Sequence, residues 1–347
     1  MPFCRHHCDY CAFATWTDRD HLIERYMGAC RTHAARLAPG LDPVTSVFVG
    51  GGTPSRVAPD LLLAVLAELP VAAGAEVTVE CNPEDLTPAR AAAYAAGGVT
   101  RISLGVQSLV PHVLASLGRQ HPREAVAPAV AAARSAGLDV NLDLIYGGAG
   151  ETVEDWAATV DGAIALAPDH VSAYALTVES GTPLARDATR HPDDDDQADK
   201  YDVAADRLEA AGYAWYEISN WARPGHECRH NLLYWSMGEY VALGCAAHGH
   251  RSGVRYWNPR RPERYIDLVE EGRDPVIGSE ELDAEQRALE ALQLSLRTGA
   301  GVPAAALAPE DREALAGLVE PAGDRLVLTR AGRLLANEIS VRLRVPV

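Results

Sequence analysis

From about residue 44, short runs of β-branched and apolar residues alternate with alanine-rich stretches whose apolar positions recur at helical spacing. The runs at 44–49, 76–80, 101–106, 139–145 and 170–177 read as strands, and the stretches near 58–67, 87–95, 122–135 and 151–166 read as the helices between them. Strand and helix in alternation predict parallel βαβ units. In such sheets the chemistry collects at the C-terminal ends of the strands. The polar and glycine-rich positions fall there: Gly50-Gly51-Gly52-Thr53-Pro54, then Glu80, Gln107, Asp143 and Tyr146-Gly147-Gly148. Upstream, Thr17 or Asp18 is placed to cap a helix with apolar positions Leu22, Tyr26, Cys30 and Leu37, which makes Cys30 a core residue.

The second half changes character. The acidic run from Asp193 to Asp196 reads as a solvated cap on a helix starting near Gln197, where negative charge is favourable. Residues 213–219 read as another strand. The segment 221–261, rich in His, Asn, Tyr, Trp and Gly, reads as functional loops without regular structure. From Leu282, Asp283 and Gln286 form a capping box for a helix ending near Leu296. A helix near 309–318, an extended run at 325–329 and a helix from Arg330 complete a winged-helix-like pattern. The expected division is 1–180 for the βα units, 181–281 for an extension and 282–347 for the winged-helix-like module.

Length adds that 347 residues suit two domains or one barrel with an appendage, at about 150 residues per domain. The net charge of −17 argues against a general basic surface for nucleic acid. The winged-helix-like module has eight Arg against nine acidic residues, so it too lacks a DNA-binding charge signature and reads as a packing or partner-contact module. No apolar run reaches about 18 residues, and no basic segment followed by an apolar stretch opens the chain, so a cytoplasmic location is expected. Lysine occurs once, at Lys200.

Cysteine carries the sharpest signal. Of seven cysteines, Cys4, Cys8 and Cys11 fall within eight residues, while Cys30, Cys81, Cys228 and Cys245 are scattered. Three thiolates on one short loop leave one metal corner open. That suits an iron–sulfur cube with a free iron, and a zinc site completed by His6 or His7 is the alternative.

The Cys-x3-Cys-x2-Cys spacing resembles the signature of the radical S-adenosylmethionine (SAM) superfamily. The resemblance implies an incomplete (β/α)6 barrel and a [4Fe-4S] cluster on Cys4, Cys8 and Cys11. Its open iron would chelate SAM and, once reduced, cleave it to a deoxyadenosyl radical. It also implies SAM contacts: Tyr10 beside the adenine, Gly51, Gly52 and Thr53 at the methionine amino group, and Glu80, Gln107, Arg119 and Asp143 as polar partners. Ala175 matches a backbone contact. Within the coproporphyrinogen dehydrogenase-like branch, the chain resembles the HemW family of heme chaperones over nearly its whole length. Phe13 stands where the dehydrogenases have a fourth cysteine. His230-Asn231-Leu232-Leu233-Tyr234-Trp235 matches the family's His-Asn-x-x-Tyr-Trp motif, and residues 244–249 match a glycine-rich segment.

A neutral imidazole is a good axial ligand for heme iron, so His230 is the expected ligand. Tyr234 and Trp235 are expected to cover the porphyrin, and Asn231 to hold the imidazole or a propionate. His248 and Cys228 are further candidates for that pocket, and Arg229 is a candidate propionate partner. Cys81 and Cys245 are expected to pack as buried groups. The implied function is heme delivery to heme-requiring membrane respiratory enzymes, with association at the membrane through those partners and homodimerisation as one arrangement. The alternatives are oxygen-independent oxidation of coproporphyrinogen III, which Phe13 opposes, and a radical SAM methyltransferase or cyclopropanase, which the heme motif opposes. Only Met1-Pro2-Phe3 precede the cluster loop, too few for a strand of about five residues, so the natural chain is expected to start further upstream.

Overall fold

The computed structural model describes residues 1–346. A helix, α1 (Ile23–Leu37), leads into five parallel strands: β1 (Val44–Val49), β2 (Val71–Cys81), β3 (Arg101–Gln107), β4 (Asp139–Tyr146) and β5 (His170–Ala175). The crossovers carry α2 (Pro59–Leu66), α3 (Pro88–Ala96), the pair α4 (Pro111–Ser116) and α5 (Val126–Ser135), and α6 (Val153–Ala165). The expected strands and helices are therefore present, with ends shifted by a few residues. After α7 (Asp194–Ala210), the sheet is extended by β6 (Ala214–Glu217) and β7 (Asn220–Ala222), giving the order β1-β2-β3-β4-β5-β7-β6. β7 runs antiparallel to β5 and to β6. The parallel part thus has five strands of a six-stranded barrel and forms a curled half-barrel with β1 at its edge.

The two faces of this sheet differ in chemistry although both are covered. Toward the helices lie Val77, Val79, Ile102, Leu104, Val106, Val140, Leu142, Leu144 and Val171, all within the main core. Parallel strands covered on both sides ordinarily read as continuous apolar runs. Here the alternate positions are Glu76, Thr78, Arg101, Ser103, Asn141, Asp143, His170 and Ser172, and all but Glu76 line the hollow of the half-barrel. Five of them, Ser103, Asn141, Asp143, His170 and Ser172, satisfy one another. Asn141 Nδ2 donates to Ser103 Oγ (2.6 Å) and Asp143 Oδ1 (2.8 Å), and His170 bridges Asn141 Oδ1 (2.6 Å) and the Tyr216 hydroxyl (2.7 Å).

Helix ends follow local rules at several joints. Thr152 and Asp155 form a capping box for α6, and Asp193 accepts from the Asp196 N–H at the start of α7, as the acidic run led one to expect. Thr17 and Asp18, in contrast, cap nothing. A 3-10 turn over Asp20–Leu22 feeds directly into α1, whose N-cap Leu22 has no side-chain oxygen to offer. Cys30 is buried in the core on that helix.

The segment 221–261 departs from its expected irregularity. It contains α8 (Arg229–Trp235) and a hairpin of β8 (His248–Arg251) and β9 (Val254–Trp257), and α9 (Pro262–Glu270) follows it. β10 (Gly278–Glu281) adds a third strand to the hairpin. Short polar strands and a seven-residue helix are too brief to leave a periodic trace in the sequence. The C-terminal region comprises α10 (Ala284–Leu296) with the expected Asp283/Gln286 capping box, β11 (Val302–Pro303), α11 (Pro309–Ala314), β12 (Val319–Ala322), β13 (Arg325–Leu328), α12 (Arg330–Leu334) and α13 (Ala336–Ser340). Its own apolar cluster includes Leu296, Leu315, Leu328 and Ile339. Arg333 lies over the Trp215 ring at 3.7 Å from the centroid and fastens this region to the sheet.

The single lysine is fully buried. Lys200 on α7 donates to the Glu151 carbonyl (2.8 Å) and to Asp196 Oδ2 (2.6 Å), with Glu151 Oε2 3.4 Å away. Glu151 Oε2 in turn accepts from the Gly147 N–H at 2.7 Å, so the loop after β4 is locked to α7. Removing one partner of a buried pair leaves an uncompensated charge. Lys200→Ala should therefore cost about 3 kcal/mol in urea unfolding. A loss under about 1 kcal/mol, the size for an exposed pair, would contradict this role.

Candidate functional site

The strand ends and the N-terminal loop enclose a cavity of about 730 Å³. Residues from distant parts of the sequence meet on its walls: Cys4, Cys8, Tyr10 and Cys11 from the loop, Gly51, Gly52 and Thr53 after β1, and Glu80, Gln107, Arg119, Asp143 and Ala175. All the residues expected to hold cluster and SAM thus face one space.

The loop is placed by backbone pairing with the glycine run. Gly52 N donates to Met1 O (2.7 Å) and Thr53 N to Phe3 O (2.8 Å). A Cβ on Gly52 would lie 2.8 Å from Phe3 O and 3.1 Å from Cys4 Sγ, so only glycine lets the strands and thiol approach this closely. Gly51 has φ +105°, which a side chain would strain. Thr53 Oγ1 donates to Cys4 Sγ at 3.6 Å, and Arg119 Nη1 to Cys8 Sγ at 3.6 Å. Burial raises the Cys4 and Cys11 thiols from their ordinary range, with Thr53 and the Phe13 backbone opposing it respectively. Among the described residues, the three sulfurs are not gathered within the 4.8 Å that would let one ion collect them. That spread, with an arginine and a hydroxyl aimed at the sulfurs, fits a cluster better than a single zinc. His7 Nδ1 faces the Cys8 carbonyl rather than the thiols.

The strand-end polar groups each have a definite posture. Gln107 follows a register shift at the end of β3 and has φ +63°, an uncommon conformation for a residue with a side chain. Glu80 Oε2 accepts from Gly51 N at 3.0 Å, and burial, followed by the Asp143 charge, pushes its carboxyl up to about 8. Asp143 is raised by burial while Ser103, Ser172 and Asn141 oppose the shift. Arg119 Nη2 holds Gly105 O (2.8 Å) and Asn82 Oδ1 (3.1 Å). Asn82 and the inward-facing strand residues Thr78, Arg101, Ser103, Asn141, His170 and Ser172 also line the cavity and belong to no motif in the sequence. The period-2 recurrence of polar residues at 101/103 and 141/143 was the available signal.

A second hollow, a groove of about 860 Å³, runs along the outer edge of β1 and shares Phe13, Phe48, Gly51 and Glu80 with the cavity. The heme motif divides between the two. His230 and Tyr234 line the groove, Asn231 and Cys228 line the cavity, and Trp235 lines neither. His230 is buried and stacks on Phe48 at 5.4 Å between centroids. Its Nδ1 lies 2.9 Å from Ser46 Oγ and its Nε2 2.8 Å from the Tyr234 hydroxyl. Burial lowers its pKa against the pull of Glu76, so the ring is neutral. His248 lines the same groove. Arg229 Nη2 donates to the Gly74 carbonyl (2.9 Å), and the residue's N–H is held by Glu76 (3.0 Å), so it is less free for a propionate than expected. Cys228 donates to Glu76 Oε1 (3.4 Å), while Cys81 and Cys245 are buried as expected.

The comparisons with known proteins bear on this arrangement. The family described as the Radical SAM superfamily matches residues 1–163. A curated protein of Mycobacterium tuberculosis named "Heme chaperone HemW" is 44% identical over 98% of this chain and 92% of its own length. Its counterpart of the same name in Bacillus subtilis is 31% identical over 98% and 96% of the two chains. The solved structure of coproporphyrinogen III oxidase (HemN) from Escherichia coli superposes with a TM-score of 0.86 over 98% of this chain and 88% of that one. At 22% identity this likeness shows the fold alone. Fold and match define a radical SAM protein, a class that binds a [4Fe-4S] cluster and SAM. Within it, the chain belongs to the HemW family.

A carboxyl with a raised pKa keeps its proton in the folded chain. Its stabilising contribution is full below the ordinary carboxylate value and is lost as pH rises through about 8. Glu80→Gln should therefore gain thermal stability relative to the unliganded wild type as pH increases from about 5 to about 8. Melting curves that keep a constant separation across that range would refute the buried-acid assignment.

Proposed function

We propose that this chain is a heme chaperone that carries its cluster on Cys4, Cys8 and Cys11 and its heme on His230. The observation that carries the heme assignment is the posture of that imidazole. It is neutral, it sits on the wall of an open groove, and only the hydroxyl of Tyr234, itself 42% exposed, covers its Nε2. Withdrawing one phenol frees a ligand nitrogen without disturbing the ring, which Ser46 and Phe48 continue to hold.

When bound, the reduced cluster supplies the electron that cleaves SAM. The chain's residues do the rest by position. The three thiols leave room for a fourth ligand. Gly51 and Gly52 would bring backbone close to it, Tyr10 and the Ala175 backbone would hold the adenine, and Thr53, Glu80, Gln107, Arg119 and Asp143 would hold the polar parts of SAM, all of them lining the one cavity. Glu80 is protonated near neutrality and can donate a hydrogen bond. In this reading cluster and SAM support heme handling rather than porphyrin turnover, and Phe13 in place of a further thiol agrees with that. The recipients are heme-requiring membrane respiratory enzymes, met from the cytoplasmic side. Leu334, Leu335 and Val341, exposed on the C-terminal region, offer a surface for such a partner or for a second copy. No helix among the described residues is long and apolar enough to cross a membrane.

Anaerobically reconstituted Cys4→Ala, Cys8→Ala and Cys11→Ala variants should each lose the cubane absorption, whereas Cys30→Ala keeps it. Retention in any of the three would displace that ligand. Hemin titration should show affinity falling at least about tenfold in His230→Ala and rising in Tyr234→Phe, in which the competing hydrogen bond is absent. An unchanged Soret shift in His230→Ala would move the ligand elsewhere. Incubation with coproporphyrinogen III, SAM and reductant should yield no protoporphyrinogen; its formation would make the chain an oxidase.

A further inference from the structure

The floor of the cavity holds a charge that none of the roles above uses. Arg101 opens β3 and is 3% exposed, and its side chain lines the cavity. Nη1 donates to the His226 carbonyl at 2.9 Å, whereas Nη2 has no hydrogen-bond partner in the protein. Across the ladder, its neighbour Thr78 is 1% exposed and lines the same cavity with an unpartnered hydroxyl.

The acids nearby are engaged elsewhere. Asp143 accepts from Ser103 (2.5 Å) and Asn141 (2.8 Å). Glu76 accepts from the Cys228 thiol and from the N–H groups of Arg229 (3.0 Å) and His230 (3.1 Å). The remaining neighbours, His170 and Tyr216, bond to each other and are neutral, His170 because of burial and then the Arg101 charge. The Arg101 charge acts on the Asp143 carboxyl but no oxygen accepts from Nη2. A buried guanidinium nitrogen left without an acceptor is unfavourable, and the planar fork matches a carboxylate. The Thr78 hydroxyl, from the paired position on β2, is a further unpartnered donor in the same cavity.

We propose that the barrel floor is a carboxylate-binding subsite, in which the Arg101 guanidinium and the Thr78 hydroxyl take the carboxylate of a ligand that enters from the strand ends. Resting on the heme reading above, the ligand class is a porphyrin propionate. A free small carboxylate offers the same chemistry. Cys228 and Asn231 of the heme-motif segment line this same cavity, so the subsite lies against the stretch of chain that also carries His230.

The test compares hemin with hemin dimethyl ester, whose propionates are blocked, on the full, anaerobically reconstituted chain, with free propionate as a third arm. Wild type should bind hemin about tenfold more tightly than the diester, and Arg101→Met should erase that preference while binding the diester as before. Arg101→Lys, which keeps the charge, should retain part of the preference. Thr78→Val should lower it in a chain whose fold is hardly altered, which serves if Arg101→Met does not fold. If hemin and diester bind alike but propionate binds wild type and not the Arg101 and Thr78 variants, the subsite stands and its ligand is a small free carboxylate. Equal weakening of both porphyrins, or none, together with variant-independent propionate binding, overturns the subsite. A wild type that binds neither porphyrin sinks the heme reading instead, and the propionate arm then decides the subsite alone.

Discussion

The architecture turns on one constraint: the concave face of the parallel sheet is buried yet polar. Every donor and acceptor on it must find a partner inside the protein or a ligand. Asp143, Ser103, Asn141, His170 and Tyr216 meet that demand by bonding in a chain across β3, β4, β5 and β6. Because Asn141 is shared among several partners, each strand's register is tied to the next, and the strand-end groups inherit that order. A cavity lined this way resists collapse, since an apolar contact cannot replace the lost hydrogen bonds.

The N-terminal loop depends on the same principle at shorter range. Its backbone is held by the amides of Gly52 and Thr53, and the close approach leaves no room for a side chain at Gly52. Burial then shapes the chemistry on both sides of Phe48. It keeps Glu80 protonated near neutrality and His230 uncharged, the first suited to donating a hydrogen bond and the second to giving a lone pair to a metal. The buried Lys200 performs the complementary task at the outer wall, holding the loop after β4 in place.

Much of this was legible in the residues. Strands with apolar outward positions, such as Ile102, Leu104 and Val106, and capping boxes at Thr152 and Asp283 are local signals, and the elements formed where those signals stood. The three clustered cysteines and the strand-end residues also converged on one cavity. The helix and hairpin within 221–261 were not legible, because elements of four to seven residues are stabilised by packing rather than by periodicity. The inward polar residues were read past for a related reason. A serine or asparagine within a strand has the same appearance whether it faces water or a hollow.

The order of elements, the cluster loop and the family resemblance were thus contained in the chain itself, since each rests on spacing along the backbone. The division of the heme motif was decided only in three dimensions. On α8, consecutive residues point about 100° apart, so His230 and Asn231 face different hollows although they adjoin in sequence. The unpartnered Nη2 of Arg101 likewise arises only in the fold, which pairs Arg101 with Thr78 across the ladder and commits Asp143 and Glu76 to other donors. A charge becomes a binding site when its surroundings leave it unanswered, and those surroundings come from strands far apart in the sequence.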